Sequence, residues 1–365
     1  MRDHFEYRRI DSIDGVGSLG PQWRELDAKQ SQPLLPLSHL WHVAWWDSFG
    51  KNFELALGAV LCNGELIAIA PLYSTEVRER GLRLETTQLA SNGYSPFSDL
   101  LLAPDLSEAM IDEVLDLMVE HNPCDVMRLQ KLPANGVVAE RASRAGGLPV
   151  TIGIEPILQT PIISLEGDWQ SYLQVLSSSS RKTVRRKLKR LNSKDDLTIE
   201  RYKPKNSKAP ILEDIVAVSA RSWKANTKSD LQQDVAGCEF LWRLIDELGP
   251  ENAVSVWVLS ENGTPIAFEL LLHYGGIVYP IRADYDQEFS GISPGSILMA
   301  YVLKDMFENG DDHTYDCCGD NYDYLRSWTK KTRNYVDVEL FSRGLRPALA
   351  YSLKYRIAPV VRNFT

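Results

Sequence analysis

Two distant stretches of this chain repeat one pattern, GAVLCNGELIAIAPLY at 58–73 and VWVLSENGTPIAFELLLHY at 256–274. Each is an apolar run, an Asn-Gly step and a second apolar run that ends on an aromatic residue. Asn and Gly tolerate the positive φ that a tight hairpin turn needs, so each stretch predicts two paired strands. A duplicated hairpin predicts a duplicated unit, and 365 residues exceed what one core comfortably organises. Helix-like segments surround both hairpins. The expected class is therefore α/β with mixed sheets, in two units built alike.

Along the first half, 55–61 and 66–73 read as strands and 114–119 as part of a helix that Asp105 or Ser107 caps. A strand at 125–129 and a helix near 137–145 follow, and Gly146-Gly147-Leu148-Pro149 breaks the pattern. This places a first domain at 1–150, a second at 151–343 and a basic tail at 344–365. In the second half, 157–164 reads as a strand and 169–191 as one long helix. Later, 277–283 reads as a strand, 284–293 as a loop, 294–309 as a helix and 313–317 as a strand. A small Ser-Pro-Gly-Ser turn that opens a helix suits a phosphate, because free N–H groups and the helix dipole both favour an anion.

Composition narrows the function. The net charge of −9 does not indicate a nucleic-acid surface, and no run reaches the ~20 apolar residues that a membrane-spanning helix needs. The opening residues lack the apolar core of a secretory signal, so the expected location is cytoplasmic, at most peripheral to the inner face of the membrane. Five cysteines without Cys-x-x-Cys spacing predict reduced thiols and no metal site. The charge is also uneven. Residues 181–190 (RKTVRRKLKR) hold seven basic residues and no acid, leaving 33 basic against 49 acidic residues elsewhere. Val184, Leu188 and Leu191 at helical spacing make this an amphipathic helix with a cationic face. Such a face is ordinarily just solvated, but it also suits an anionic partner such as an acyl carrier protein or an acidic membrane surface.

The order of several short motifs carries a resemblance. Ala283-Asp284-Tyr285-Asp286, Ser293-Pro294-Gly295-Ser296 opening a helix, Tyr315-Asp316, Gly319-Asp320 and Tyr324-Leu325-Arg326-Ser327-Trp328 follow one another. With Trp41, Trp46, Phe49-Gly50 and Ile69-Ala70-Pro71-Leu72-Tyr73 before them, they resemble the CelD/BcsL-type acyltransferases of the GNAT superfamily across about residues 20–340. Leu325 stands where that family carries lysine, so no role of that lysine carries over. The strict pyrophosphate loop of the superfamily is absent as well.

The resemblance implies two tandem GNAT-like units, as in FemAB-like proteins, and transfer from acyl-CoA, acetyl-CoA foremost, to a primary amine. It points to an amino sugar of exopolysaccharide or cell-envelope assembly as acceptor. Ser293, Pro294, Gly295 and Ser296 would hold the donor, unless they form an ordinary helix start. Glu269 interrupts an apolar strand, which buries a carboxyl and suits a base, unless the side chain faces solvent. Asp316, at a strand end, is a second catalytic candidate, and Tyr324 falls where such enzymes place a thiolate-protonating tyrosine. His273, Tyr279, Arg282, Asp284 and Arg326 are candidates for acceptor binding. Two rivals stand beside this reading: a FemABX-like transferase using aminoacyl-tRNA, and a non-catalytic GNAT-fold binding module.

Overall fold

A computed structural model describes residues 4–144, 150–192 and 196–357. The expected break at 146–149 lies outside the described residues. The chain divides into two compact units, one of residues 1–159 with 333–365 and the other of residues 160–332. The division thus falls nine residues after the one expected at 150, and the last strand returns to the first unit. Sequence order hides such a return, because strand pairing joins segments that are far apart in the chain.

The elements run β1 (Phe5–Ile10), α1 (Ile13–Ala28), α2 (His39–Phe49), β2 (Glu54–Leu55), β3 (Leu57–Cys62), β4 (Glu65–Ala70), β5 (Leu72–Glu79), β6 (Leu82–Leu89), β7 (Leu101–Leu102), α3 (Glu108–Glu120), β8 (Val126–Pro133) and α4 (Val137–Arg144). Next come β9 (Thr151–Ser164), α5 (Trp169–Val175), α6 (Ser178–Asn192), β10 (Leu197–Tyr202), α7 (Ile211–Ala220), α8 (Val235–Leu248), β11 (Val254–Glu261), β12 (Thr264–Tyr274) and β13 (Ile277–Tyr285). The last are α9 (Pro294–Asn309), β14 (Thr314–Asp316), α10 (Asp323–Arg326), β15 (Thr332–Phe341) and α11 (Leu345–Tyr351).

Within the first unit, β1, β3, β4 and β7 form one antiparallel sheet, and β15, β8, β6, β5 and β2 form another series. Its core closes α3 and α4 over β3, β4 and β8 through Val60, Ile67, Val114, Met118, Leu129 and Val138. Ser107 caps α3, its hydroxyl accepting from Met110 N at 3.4 Å. The segment expected as a tail is docked as far as residue 357. Lys354 pairs with Glu339 at 2.9 Å, and the Tyr355 hydroxyl donates to the same carboxylate at 2.9 Å.

In the second unit the strand order is β10-β11-β12-β13-β14-β9, antiparallel except for β13 beside β14. Helices α5, α6 and α9 bury Trp169, Val184, Leu191, Ile297, Leu303 and Met306 against one face of this sheet. The long helix expected over 169–191 is broken. Leu176 adopts an extended conformation, and the Ser177 hydroxyl accepts from Ser180 N at 3.1 Å, which starts α6 afresh. Both repeated hairpins form as the sequence predicts, with Asn63 and Gly64 at φ 52° and 87° and Asn262 and Gly263 at 50° and 77°.

Gly153 faces the ring of Tyr355, and a Cβ there would lie 2.2 Å from a ring carbon. Gly153→Ala should therefore cost about 1–3 kcal/mol of stability by displacing that ring. Denaturant unfolding of Gly153→Ala with and without Tyr355→Ala checks it, since truncating the tyrosine should remove most of the clash.

Candidate active site

Three strands of the second unit position the candidate residues. β12 pairs with β13 in register from Tyr274↔Ile277 to Leu271↔Pro280, and again from Leu270↔Arg282 to Ala267↔Tyr285. Ile281 is the extra residue between the two runs, so the strand is bulged there. A bulge reverses which face the following side chains occupy. Ala283 therefore shares the face of its partner Glu269, while Arg282 and Asp284 share the opposite face with Leu270 and Phe268.

β13 pairs with β14 through Ile277↔Thr314 and Val278↔Tyr315, after which β14 ends at Asp316 while β13 runs on to Tyr285. The two parallel strands part at that point. Shortly beyond, α9 starts at Pro294, with Ser293 in the left-handed conformation (φ 58°) and no side chain capping the helix. Ser293 thus does not act as an ordinary hydroxyl cap. Gly295 is also not explained by the fold: its φ is not positive, and an added Cβ would meet only a Tyr285 ring carbon at an ordinary 3.5 Å. Glycine within a helix costs roughly 1 kcal/mol relative to alanine, so nothing internal favours it here.

Glu269 is 5% exposed and lies on the face that α5, α6 and α9 cover, beside Ala267 and Leu271 of the apolar core. The Tyr315 hydroxyl donates to its Oε2 at 3.4 Å. Burial pushes the Glu269 carboxyl up to about 8, because removing water disfavours the charged form. Burial likewise pushes Tyr315 and the Cys317 thiol well up, and each is held higher by a neighbouring negative charge. Tyr324 completes the cluster. Crowding around it, then the charges of Cys317 and Glu269, push its hydroxyl up to about 12. Its residue is nonetheless 58% exposed, and its ring stacks on Tyr322 at 6.1 Å between centroids. A buried carboxyl, a buried phenol and a phenol open to solvent thus lie within electrostatic range of one another.

The other expected residues separate from this cluster. Asp316 is buried, but it follows Tyr315 and so points to the opposite face of β14. Its Oδ1 accepts from Cys318 N at 3.0 Å, holding the turn after the strand. His273 shares the Glu269 face, four residues or ~13 Å along the strand. Its Nδ1 meets Asp312 Oδ2 at 2.7 Å and its Nε2 meets Ser255 Oγ at 2.9 Å. This has the outline of a Ser-His-Asp triad, yet Ser255 is 1% exposed within β11, where no substrate reaches it. His273 works there as a clamp between β12 and the segment before β14.

Tyr279, before the bulge, is fully buried opposite Leu272, on the face away from Glu269. Arg282 and Asp284 form a buried ion network on that face. Arg282 Nε donates to Asp284 Oδ2 at 2.7 Å, and its guanidinium also reaches Ser219 Oγ at 3.2 Å and Ser229 O at 2.7 Å. Lys224 meets Asp284 Oδ1 at 2.5 Å. Burial pushes the Lys224 ammonium down, and Asp284 opposes that shift. Arg326 lies on the surface of α10, paired with Asp323 at 3.1 Å. Leu325, in place of the family lysine, is buried in the core.

Tyr315 was not among the sequence candidates. Its signal was its place on a short strand next to β13, which is visible only once the register is known. The first unit has no counterpart of this carboxyl, since Ala70 stands where the hairpin repeat puts Glu269.

The family model described as "Acetyltransferase (GNAT) domain" matches residues 178–326. No curated protein sequence matches the chain. Among solved structures, FemX is similar with a TM-score of 0.55 and 13% identity, over 96% of this chain and 99% of that one. The C-terminal DUF2156 domain of an Agrobacterium fabrum protein named as a lysylphosphatidylglycerol synthetase gives a TM-score of 0.55 and 11% identity, over 92% and 94%. A tandem GNAT protein from the clavulanic acid biosynthesis pathway gives 0.50 and 11%, over 94% and 100%. At such identities these likenesses speak for the fold alone.

Two substitutions separate the two faces of the sheet. Asp284→Asn leaves the buried Arg282 and the half-buried Lys224 without their carboxylate and should cost roughly 3–5 kcal/mol in denaturant unfolding. Glu269→Gln acts through pH. The folded carboxyl holds its proton up to about 8, against an ordinary value of 4.5. Stability of the wild type should therefore fall as pH rises between these values, a slope that Glu269→Gln removes. Parallel slopes in the two proteins would show that Glu269 is not so perturbed. The chain is an acyltransferase on a tandem GNAT-like fold, with the matched GNAT domain in its second unit.

Proposed function

We propose that the second unit transfers an acyl group from acyl-CoA, acetyl-CoA foremost, to a primary amine. The observation that carries this reading is the buried Glu269 carboxyl, bonded to Tyr315 on the face where β13 and β14 part. GNAT domains use acyl-CoA, and the start of α9 offers its pyrophosphate an uncapped helix terminus with an open glycine. Ser293, Pro294, Gly295 and Ser296 would line the donor site there, Gly295 offering a backbone N–H and Ser293 and Ser296 their hydroxyls.

Glu269, ionised, takes a proton from the acceptor ammonium and leaves a neutral amine. The amine nitrogen attacks the thioester carbonyl carbon, and backbone N–H groups on the free edge of β13 stabilise the oxyanion. The carbon–sulfur bond then breaks, Tyr324 donates its proton to the departing thiolate, and the surplus proton on the new amide nitrogen returns to the Tyr324 phenolate. Tyr315 positions the Glu269 carboxyl by its hydrogen bond. An amino sugar of exopolysaccharide or envelope assembly is the acceptor suggested by the CelD/BcsL resemblance, with Arg326 nearest to Tyr324 among the acceptor candidates. The FemX likeness keeps aminoacyl transfer as a second reading.

Mass spectrometry of the native protein with acetyl-, longer acyl- and succinyl-CoA should show which donor is retained, and retention of none would sink the reading. Glu269→Gln should lower kcat/KM by about 10²–10⁴ and abolish a limb that rises with pH through about 8. A loss below about threefold would move the base elsewhere. Gly295→Ala should leave stability equal or higher by helix propensity, yet weaken donor binding in calorimetry. Unchanged donor affinity would remove the phosphate site from α9.

A further inference from the structure

α6 turns Val184, Leu188 and Leu191 to the core and leaves Lys182, Arg185, Arg186 and Lys189 exposed. Among the described residues none of these four cations has a carboxylate partner. Like charges this dense repel one another, so an anionic surface against them relieves a cost as well as adding attraction.

Apolar and aromatic side chains stand exposed at one corner beside this helix. Val175, just before α6, is 84% exposed. Tyr172, three residues earlier, donates its hydroxyl to Trp328 O at 2.7 Å, which ties this end of α5 to the segment after α10. Tyr322 and Tyr324, stacked and both more than half exposed, stand at the start of α10. Both Tyr172 and Tyr324 feel the charge of Cys317, so this corner adjoins the Glu269 cluster.

We propose that α6, with Val175 and the Tyr322–Tyr324 pair beside it, docks on an anionic lipid bilayer. Cations bind acidic headgroups, while a protruding valine and amphipathic tyrosines suit the level between headgroups and chains. The excess of acid over base elsewhere in the chain repels such a surface and turns α6 toward it. An acidic carrier protein would engage the cations but has no need of the protruding apolar and aromatic groups. Combined with the acyl-transfer reading, on which this last step rests, docking brings an amphiphilic amine to Glu269 from the membrane.

Co-sedimentation of the whole protein, without donor or acceptor, with vesicles of phosphatidylcholine alone or with added phosphatidylglycerol tests this. The expected result is binding to the anionic vesicles only, weakening as salt rises. The double variant Arg185→Glu/Arg186→Glu should lose at least roughly tenfold in vesicle affinity, as each basic residue near an anionic surface contributes about fivefold. Val175→Asp should lose a few-fold, and Lys208→Glu, an exposed cation outside α6, should change nothing. No binding, equal binding to neutral vesicles, unchanged affinity in the α6 variant, or equal loss in Lys208→Glu would each overturn the proposal. Retention on an acyl carrier protein without vesicle binding would overturn it in favour of a carrier. Because no acyl donor is present, failure here leaves the Glu269 chemistry standing, and failure of that chemistry leaves vesicle binding unchanged.

Discussion

The β12–β13 ladder, with Ile281 bulged out of it, sets the two faces of the second unit. Had the strand run without that extra residue, Arg282 and Asp284 would lie on the face that carries Glu269. Two unit charges would then crowd the carboxyl. The bulge sends the ion pair to the other face, where Ser219 of α7 and Lys224 complete it. It leaves Glu269 with Ala283 as its strand partner and an apolar surround. One residue of register thus separates a network that holds the fold from a carboxyl kept protonated near neutrality.

Burial gives that carboxyl its chemistry and sets its cost. A group with a pKa near 8 is neutral in the folded protein at low pH and ionises in the range where an amine must lose its proton. The same desolvation makes the ionised form destabilising, so the fold is less stable where the base is most effective. Such strain is tolerable in a unit whose core is otherwise continuous, from Trp169 and Val184 across the sheet to Met306. The first unit repeats the hairpin with alanine at the equivalent place, so that strand carries no such penalty.

The parting of β13 and β14 supplies the second ingredient. Two residue pairs fix the strands side by side, and then the shorter strand stops, leaving backbone groups of the longer one free at the edge. α9 starts close by with its first turn uncapped. Backbone donors suit both an oxyanion and a pyrophosphate, which differ in charge; the strand edge offers its N–H groups, and the start of α9 offers that of Gly295, since Ser296 and Ile297 donate to Ser293 O.

The sequence by itself determined the two hairpins, because Asn-Gly fixes a turn locally, and it determined α9 from Pro294 to Asn309 by periodicity and the proline at its start. It also marked Glu269, since a carboxylate inside an apolar strand has few places to go. Local pattern did not reveal the break at Leu176 and Ser177, where a serine captures a backbone N–H that a continuous helix would have used. Nor did it reveal that Arg282, Asp284 and Tyr279 turn away from Glu269, that His273 is clamped between Ser255 and Asp312, or that Tyr315 reaches the carboxyl. Those outcomes depend on which strand lies beside which and in what register. A single unpaired residue shifts the register, and its effect appears only when the partner strand is in place.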